Sequence, residues 1–286
     1  MASEAPQQSF VRANGLRLAC LDYGNAGAPP AVLVHATGFH KELWGLVARA
    51  LAPSHHVLAF DQRGHGDSDK PAADYHWQRF ADDLAGFLDA LRLRGVLAIG
   101  HSSGGTAIVL TAAQRPELIG RAVLVEPVIF PRSAIASGDR AGDRGMGERT
   151  RQRRESFESP EAFFQSFRDR PPFKDWTDEA LWTYARAGTA PGPDGRVHLK
   201  CPPSIEAQVY ENNRSVNPWP ALEALRCPTL FIQGGSRGIL APDLAEQMRT
   251  AVPHLRHVQV AAASHFVPME QPEAVSGAIQ DFLQAS

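Results

Sequence analysis

Val96-Leu97-Ala98-Ile99-Gly100-His101-Ser102-Ser103-Gly104-Gly105, running on into Thr106 to Gln114, is the stretch that decides how this chain folds. Val96 to Gly100 is an apolar run of strand length. Thr106 to Gln114 is rich in small and aliphatic residues and reads as a helix. Between them stands a Gly-x-Ser-x-Gly pattern centred on Ser102. A serine held on so tight a strand-to-helix turn needs very small residues two places before and two places after it, or the side chains collide. The turn lifts the hydroxyl clear of the sheet and sets it at a helix N-terminus. There the helix dipole and free N–H groups stabilise developing negative charge.

Outward from this turn the pattern repeats. Ala31 to His35 and Val57 to Phe60 are buried-strand runs, ending in Ala36-Thr37-Gly38-Phe39 and in Asp61-Gln62-Arg63-Gly64-His65-Gly66. Arg79 to Leu93 is an amphipathic helix with Phe80, Leu84, Phe87, Leu88 and Leu91 on one face. Ala122 to Val125 is a strand leading into Glu126-Pro127, Thr229 to Gln233 and His257 to Val260 are later strands, and Pro272 to Leu283 closes the chain as a helix. Strands that are apolar throughout and alternate with helices imply an α/β fold, a parallel sheet covered on both faces. Right-handed crossovers then bring the strand C-termini to one edge, where ligands bind. The alternation breaks from 131 to 220. That stretch is rich in Arg, Gly and Pro, with aromatics at Phe163, Phe164, Phe167, Trp176, Trp182, Tyr184 and Trp219. It reads as a helical cap or lid with no clear strand, inserted into a core formed by 1–130 and 221–286.

The composition excludes several function classes. The chain has 286 residues, a net charge of -2 and ordinary hydrophobic content, so no charge excess points to nucleic acid or to an anionic membrane. No apolar run approaches the length of a membrane span. Met1 to Gln8 is polar and lacks the pattern of a secretory leader. Three widely spaced cysteines, Cys20, Cys201 and Cys227, suggest neither a disulfide framework nor a zinc site, and a cytoplasmic setting is expected. No phosphate loop, dinucleotide fingerprint or metal spacing is present, so no cofactor is expected. The partner is expected to be a small molecule, and oligomeric state leaves no signature. Arg140, Arg144, Arg149, Arg151, Arg153 and Arg154 are interleaved with Asp139, Asp143 and Glu148. This reads as a solvated mixed-charge face, with a basic rim that steers an anionic substrate as the sharper alternative.

Four motifs resemble the α/β-hydrolase family, in order along nearly the whole chain. They are the serine turn at Ser102, the loop His35-Ala36-Thr37-Gly38, the turn Asp61-Gln62-Arg63-Gly64-His65-Gly66-Asp67-Ser68, and Ser264-His265-Phe266 followed by Glu270-Gln271-Pro272-Glu273. The resemblance implies a mostly parallel eight-stranded sheet with helices on both faces. It also makes His265 the general base for Ser102, since a serine hydroxyl is a poor nucleophile without one. His101 and His35 read as structural, and Asp61 with Arg63 as an ion pair shaping its turn. The acid departs from the common pattern. Arg237 falls where the usual Asp belongs, and Asp243 looks too far along, at the start of a helix. Glu126, after the preceding strand, is the favoured acid. The haloalkane dehalogenases and the zearalenone lactone hydrolase are similar in that respect. Backbone N–H groups of Ser103 and Thr37, with Phe39 as the weaker choice for the second, are expected to form the oxyanion hole.

The expected chemistry is hydrolysis of a carboxylic ester or lactone through an acyl-enzyme on a Ser102–His265–Glu126 triad. Carbon–carbon bond hydrolysis or perhydrolysis could run on the same residues. An Asp-nucleophile epoxide hydrolase or dehalogenase is disfavoured by the serine. A hydrolase-like receptor that binds a small signal with little turnover is the alternative of a different class.

Overall fold

The computed structural model describes residues 5–138, 141–235 and 243–285. Its main sheet has eight strands in the order β1-β2-β4-β3-β5-β6-β10-β11. These are β1 (Gln7–Ala13), β2 (Leu16–Asp22), β3 (Pro30–Val34), β4 (His56–Phe60), β5 (Val96–His101), β6 (Ile119–Val125), β10 (Thr229–Gly234) and β11 (Leu255–Val260). β1 and β2 are antiparallel to their neighbours, and the other six strands are parallel.

Alternate residues of the central strands feed two separate cores. Val32, Val34, Leu58, Phe60 and Leu124 face one layer, while Ala31, Leu33, Val57, Ala59 and Val125 face the other. The first layer is covered by α2 (Trp77–Ala90), α3 (Ser103–Gln114), α9 (Trp219–Glu223) and α10 (Leu244–Ala251). The second is covered by α1 (Gly45–Leu51) and α12 (Pro272–Gln284), with the single turn α11 (Val267–Glu270) leading into α12. Each fully buried Val, Leu, Ile or Phe contributes roughly 1.5–3 kcal/mol relative to exposure. α2 starts at Trp77 and ends at Ala90, so Leu91, expected on its apolar face, is its C-cap and lies 37% exposed.

β1 has no apolar run to announce it, although β2 carries one from Leu18 to Leu21. β1 is an edge strand whose first four residues are exposed. Its signal is the turn instead: Asn14 and Gly15 have φ of 50° and 78°, both left-handed, as a two-residue type I′ hairpin requires.

The inserted segment carries α4 (Arg132–Ala136), α5 (Ala141–Arg151), α6 (Pro160–Phe167), α7 (Asp178–Ala187) and α8 (Pro203–Glu211). The expectation that it holds no strand is corrected. β7 (Ser156–Phe157), β8 (Thr189–Pro191) and β9 (Val197–Leu199) form a small antiparallel sheet of their own, separate from the main one. Strands of two or three residues are too short for a period of two to register. Phe157, Phe163, Phe173, Trp176 and Tyr184 make a local core that also takes in Phe39 and Met269 from the main body. The boundary drawn at 220 falls inside α9. Trp219 belongs to the sheet's own core, and its indole N–H donates to the Phe130 carbonyl at 2.8 Å.

Candidate active site

Ser102 sits between β5 and α3 with φ 54° and ψ -117°. A non-glycine residue there stores on the order of 1–3 kcal/mol of strain and persists only when its surroundings hold it. Here the Ser102 N–H donates to the Val125 carbonyl at 2.9 Å, and the Ser102 carbonyl accepts from the Gly105 N–H at 3.0 Å. The flanking glycines follow from crowding. A Cβ on Gly104 would lie 2.3 Å from the Val34 carbonyl oxygen, and one on Gly100 would lie 2.5 Å from the Gly104 backbone.

The strand ends bring three predicted residues into one line. The Ser102 Oγ lies 3.1 Å from His265 Nε2, and His265 Nδ1 lies 3.0 Å from Glu126 Oε2. Glu126 is fully buried, and its other oxygen accepts the Gly234 N–H at 2.7 Å. With φ of 47°, Glu126 is itself in a left-handed conformation. It is pinned there because its N–H donates to the Ile232 carbonyl at 2.9 Å. Both anchors come from β10, the neighbouring strand. Asp243 is elsewhere: it stands at the start of α10, and its carboxylate accepts from Gln247 Nε2 at 2.6 Å. Arg237 lies outside the described residues.

Ser103 follows Ser102 in the chain, and Thr37 lines the same cavity as Ser102. The Ser103 N–H is in the first turn of α3, where N–H groups have no intrahelical acceptor. The Thr37 N–H makes no hydrogen bond among the described residues, whereas the Phe39 N–H is committed to the Ala36 carbonyl at 3.2 Å.

The remaining motif residues are structural, with one exchange of partners. Asp61 does not pair with Arg63. It is fully buried, accepts the Lys41 Nζ at 2.8 Å and the Lys41 and Asp67 backbone N–H groups, and Arg63 instead grips Asp83 at 2.6 Å. Lys41 is itself fully buried, and nothing in its local sequence marked it as the partner. His35 Nδ1–H donates to the Ala36 carbonyl, and its Nε2 accepts from the Gln62 N–H, which fixes a neutral ring. His101 donates to the His265 carbonyl at 2.8 Å and so supports the loop that carries His265.

These rings couple stability to pH. Burial lowers His35 and His65 to about 3, and lowers His101 in the same direction. An unfolded chain takes up protons below pH ~6.5, where the folded one does not. Stability is therefore full above that pH and falls as pH drops toward the folded values. Thermal unfolding followed from pH 7.5 to 5.5 should show a falling Tm, with a loss on the order of 1 kcal/mol per histidine over the first unit below ~6.5. A Tm that holds level over this range would contradict the assignment of three neutral buried rings.

Ser102 and His265 open on a cavity of about 800 Å³ between the sheet edge and the inserted segment. Val128, Ile129, Phe167, Phe173 and Phe266 give it apolar walls. Glu206 and Tyr184, which sequence reading passed over as site residues, reach from the inserted segment to the Thr37 loop. The Tyr184 hydroxyl donates to the Gly38 carbonyl at 3.3 Å, and Arg153 binds both Tyr184 and Glu206. Gly38 has φ of 80°, and a Cβ there would meet Glu206 Oε1 at 2.7 Å. The signal for this face was the i, i+4, i+7 spacing of Glu206, Tyr210 and Asn213, all of which line the cavity. No cluster of His, Cys, Asp or Glu among the described residues could hold a metal ion, and no described helix is long and apolar enough to cross a membrane.

A model of the alpha/beta hydrolase family matches residues 31–278. The chain belongs to that family. N-formylmaleamate deformylase of Pseudomonas putida is 28% identical over 274 residues, covering 96% of this chain and 95% of that protein. The 2-(acetamidomethylene)succinate hydrolase of Mesorhizobium japonicum is 26% identical over 291 residues, covering 100% and 99%. A crystal structure of E-2-(acetamidomethylene)succinate hydrolase matches with a TM-score of 0.86 at 24% identity, over 98% of this chain and 99% of that one, and bears on the fold. An uncharacterized protein of Mycobacterium tuberculosis is 37% identical over 145 residues, a match spanning 48% of this chain and 42% of that protein's length. In this α/β hydrolase, Thr37, Ser102, Glu126 and His265 all fall within the span the family model matches.

Proposed function

We propose that this α/β hydrolase cleaves a carboxylic ester, open-chain or lactone, through an acyl-enzyme on Ser102. The observation that carries this is the hydrogen-bonded line from Ser102 through His265 to buried Glu126, opening on a cavity large enough for a small organic substrate. Ser102 attacks the carbonyl while His265 Nε2 takes its proton. Glu126 holds the imidazole by Nδ1 and stabilises its charged form. The Thr37 and Ser103 N–H groups receive the oxyanion. His265 returns the proton to the leaving group and then activates the water that clears the acyl-enzyme. The inserted segment over 131–220 serves as the lid that shapes the acyl and alcohol pockets. The three cysteines, none of them in a disulfide, are consistent with a reducing compartment.

A second bond type is favoured by the relatives. The names N-formylmaleamate deformylase and 2-(acetamidomethylene)succinate hydrolase denote carboxylate compounds whose nitrogen is acylated. The same relay serves an acyl–nitrogen bond, provided His265 protonates the nitrogen before it leaves. A graded panel of activated esters, lactones and N-acyl amides tests both. Turnover of at least one class, abolished in Ser102→Ala, is expected. Tight binding without turnover across the whole panel would replace the enzyme with the receptor-like alternative.

A further inference from the structure

The cavity over Ser102 holds charges that the hydrolytic relay does not use. Asp143, Met146, Arg149 and Thr150 stand at the three-to-four-residue spacing that turns one face of α5 toward it, and Glu206, Tyr210 and Asn213 do the same from α8 and the residues after it. Among the described charged side chains lining the cavity, Arg149, Arg153 and Arg214 outnumber Asp143 and Glu206. Arg153 is committed to Glu206, and burial raises the Glu206 carboxyl while Arg153 opposes that rise. Arg214 lies 3.5 Å from Asp143 and its guanidinium covers the Phe130 ring. That leaves Arg149. Among the described residues it has no anionic partner, and the Asn213 carboxamide has no hydrogen-bond partner. A guanidinium fork and a carboxamide are the donors that suit a carboxylate.

We propose that this cavity is built for an anionic substrate: an acyl compound carrying a second carboxylate, with its apolar stem against the Val128–Phe173 walls and the carboxylate at Arg149 and Asn213. The proposal rests on the assignment of Ser102 as nucleophile. Dicarboxylic half-esters and their acyl-nitrogen counterparts are the chemical class it selects.

The experiment compares p-nitrophenyl hemisuccinate with p-nitrophenyl butyrate, which differ by a carboxylate in place of a methyl group, after subtraction of spontaneous hydrolysis. In the wild-type enzyme at low ionic strength, kcat/KM should favour the hemisuccinate at least about ten-fold, as expected for hydrogen bonds to a charged group. Molar salt should erode the preference, because a charge at the cavity mouth is screened. Arg149→Gln should bring the ratio toward one, mainly through KM. Arg149→Lys should fall between, since a point charge keeps the attraction and loses the fork. A wild-type ratio at or below one, or a high ratio unmoved in Arg149→Gln, overturns the subsite while leaving the nucleophile intact. Hydrolysis of both esters at wild-type rate by Ser102→Ala would instead overturn the assignment beneath it.

Discussion

Replacing Ser102 by alanine is expected to lower kcat on an activated ester by about 10⁶-fold, the size of loss produced by removing the serine of a comparable triad alone. That corresponds to about 8 kcal/mol of barrier. The effect is so large because, in the proposed relay, the hydroxyl is the atom that forms the new bond. It lies 3.1 Å from the base that would activate it, on a turn held by hydrogen bonds from both flanks. What would survive in the alanine variant is the pocket and the two proposed oxyanion donors, which would give a residual rate without an acyl-enzyme. A fluorophosphonate probe should add one covalent label to the wild-type enzyme, on the peptide containing Ser102, and none to the variant. Undiminished labelling of Ser102→Ala would move the nucleophile elsewhere.

Glu126→Gln is expected to be damaging as well, though less so than loss of the serine. The carboxylate accepts from two donors, the Gly234 N–H and His265 Nδ1–H. A carboxamide has one acceptor oxygen and a donor NH₂. If the oxygen stays on Gly234, the NH₂ faces His265 Nδ1 and drives the proton to Nε2. The ring then cannot take the serine proton. The equivalent change in a serine protease costs about 10⁴-fold, so a loss of at least about 10²-fold, roughly 2.7 kcal/mol, is expected here. Asp243→Asn should stay within a few-fold of wild type, because that carboxylate binds Gln247 at the start of α10. The two variants are compared on one ester after circular dichroism shows both to be folded. An inactive Asp243→Asn beside an active Glu126→Gln would place the acid after β10.

The parts of this architecture that were legible in the sequence are those where one residue type has one physical use. Gly100 and Gly104 stand where any Cβ would strike backbone, and the apolar strand runs reappear within a few residues of where they were read. The line of Ser102, His265 and Glu126 assembles because all three follow strands whose C-termini share an edge. What the sequence concealed depended on pairing across distance. Asp61 could be read as an ion-pair member shaping its turn, but that its partner is Lys41 rather than Arg63 is set only in three dimensions. The small β7–β9–β8 sheet has strands shorter than any detectable period. The Arg-rich stretch read as one mixed-charge face, yet Arg151 and Arg153 are paired with Glu211 and Glu206, whereas Arg149 on the same stretch has no anionic partner among the described residues.

The hydrogen bond from Tyr184 to Gly38, with the Arg153-bound Glu206 packed closely beside that glycine, bears on how this protein can change. The inserted segment is not an interchangeable accessory. It holds the loop that carries Thr37 through Tyr184, so a lineage or an engineer that swaps the segment to admit a new substrate also alters the loop proposed to receive the oxyanion. Positions 38, 153, 184 and 206 therefore form a block to be inherited together. New specificities are reached most readily by substitutions in the walls, at residues such as Val128, Met146 and Phe167, that leave the block untouched.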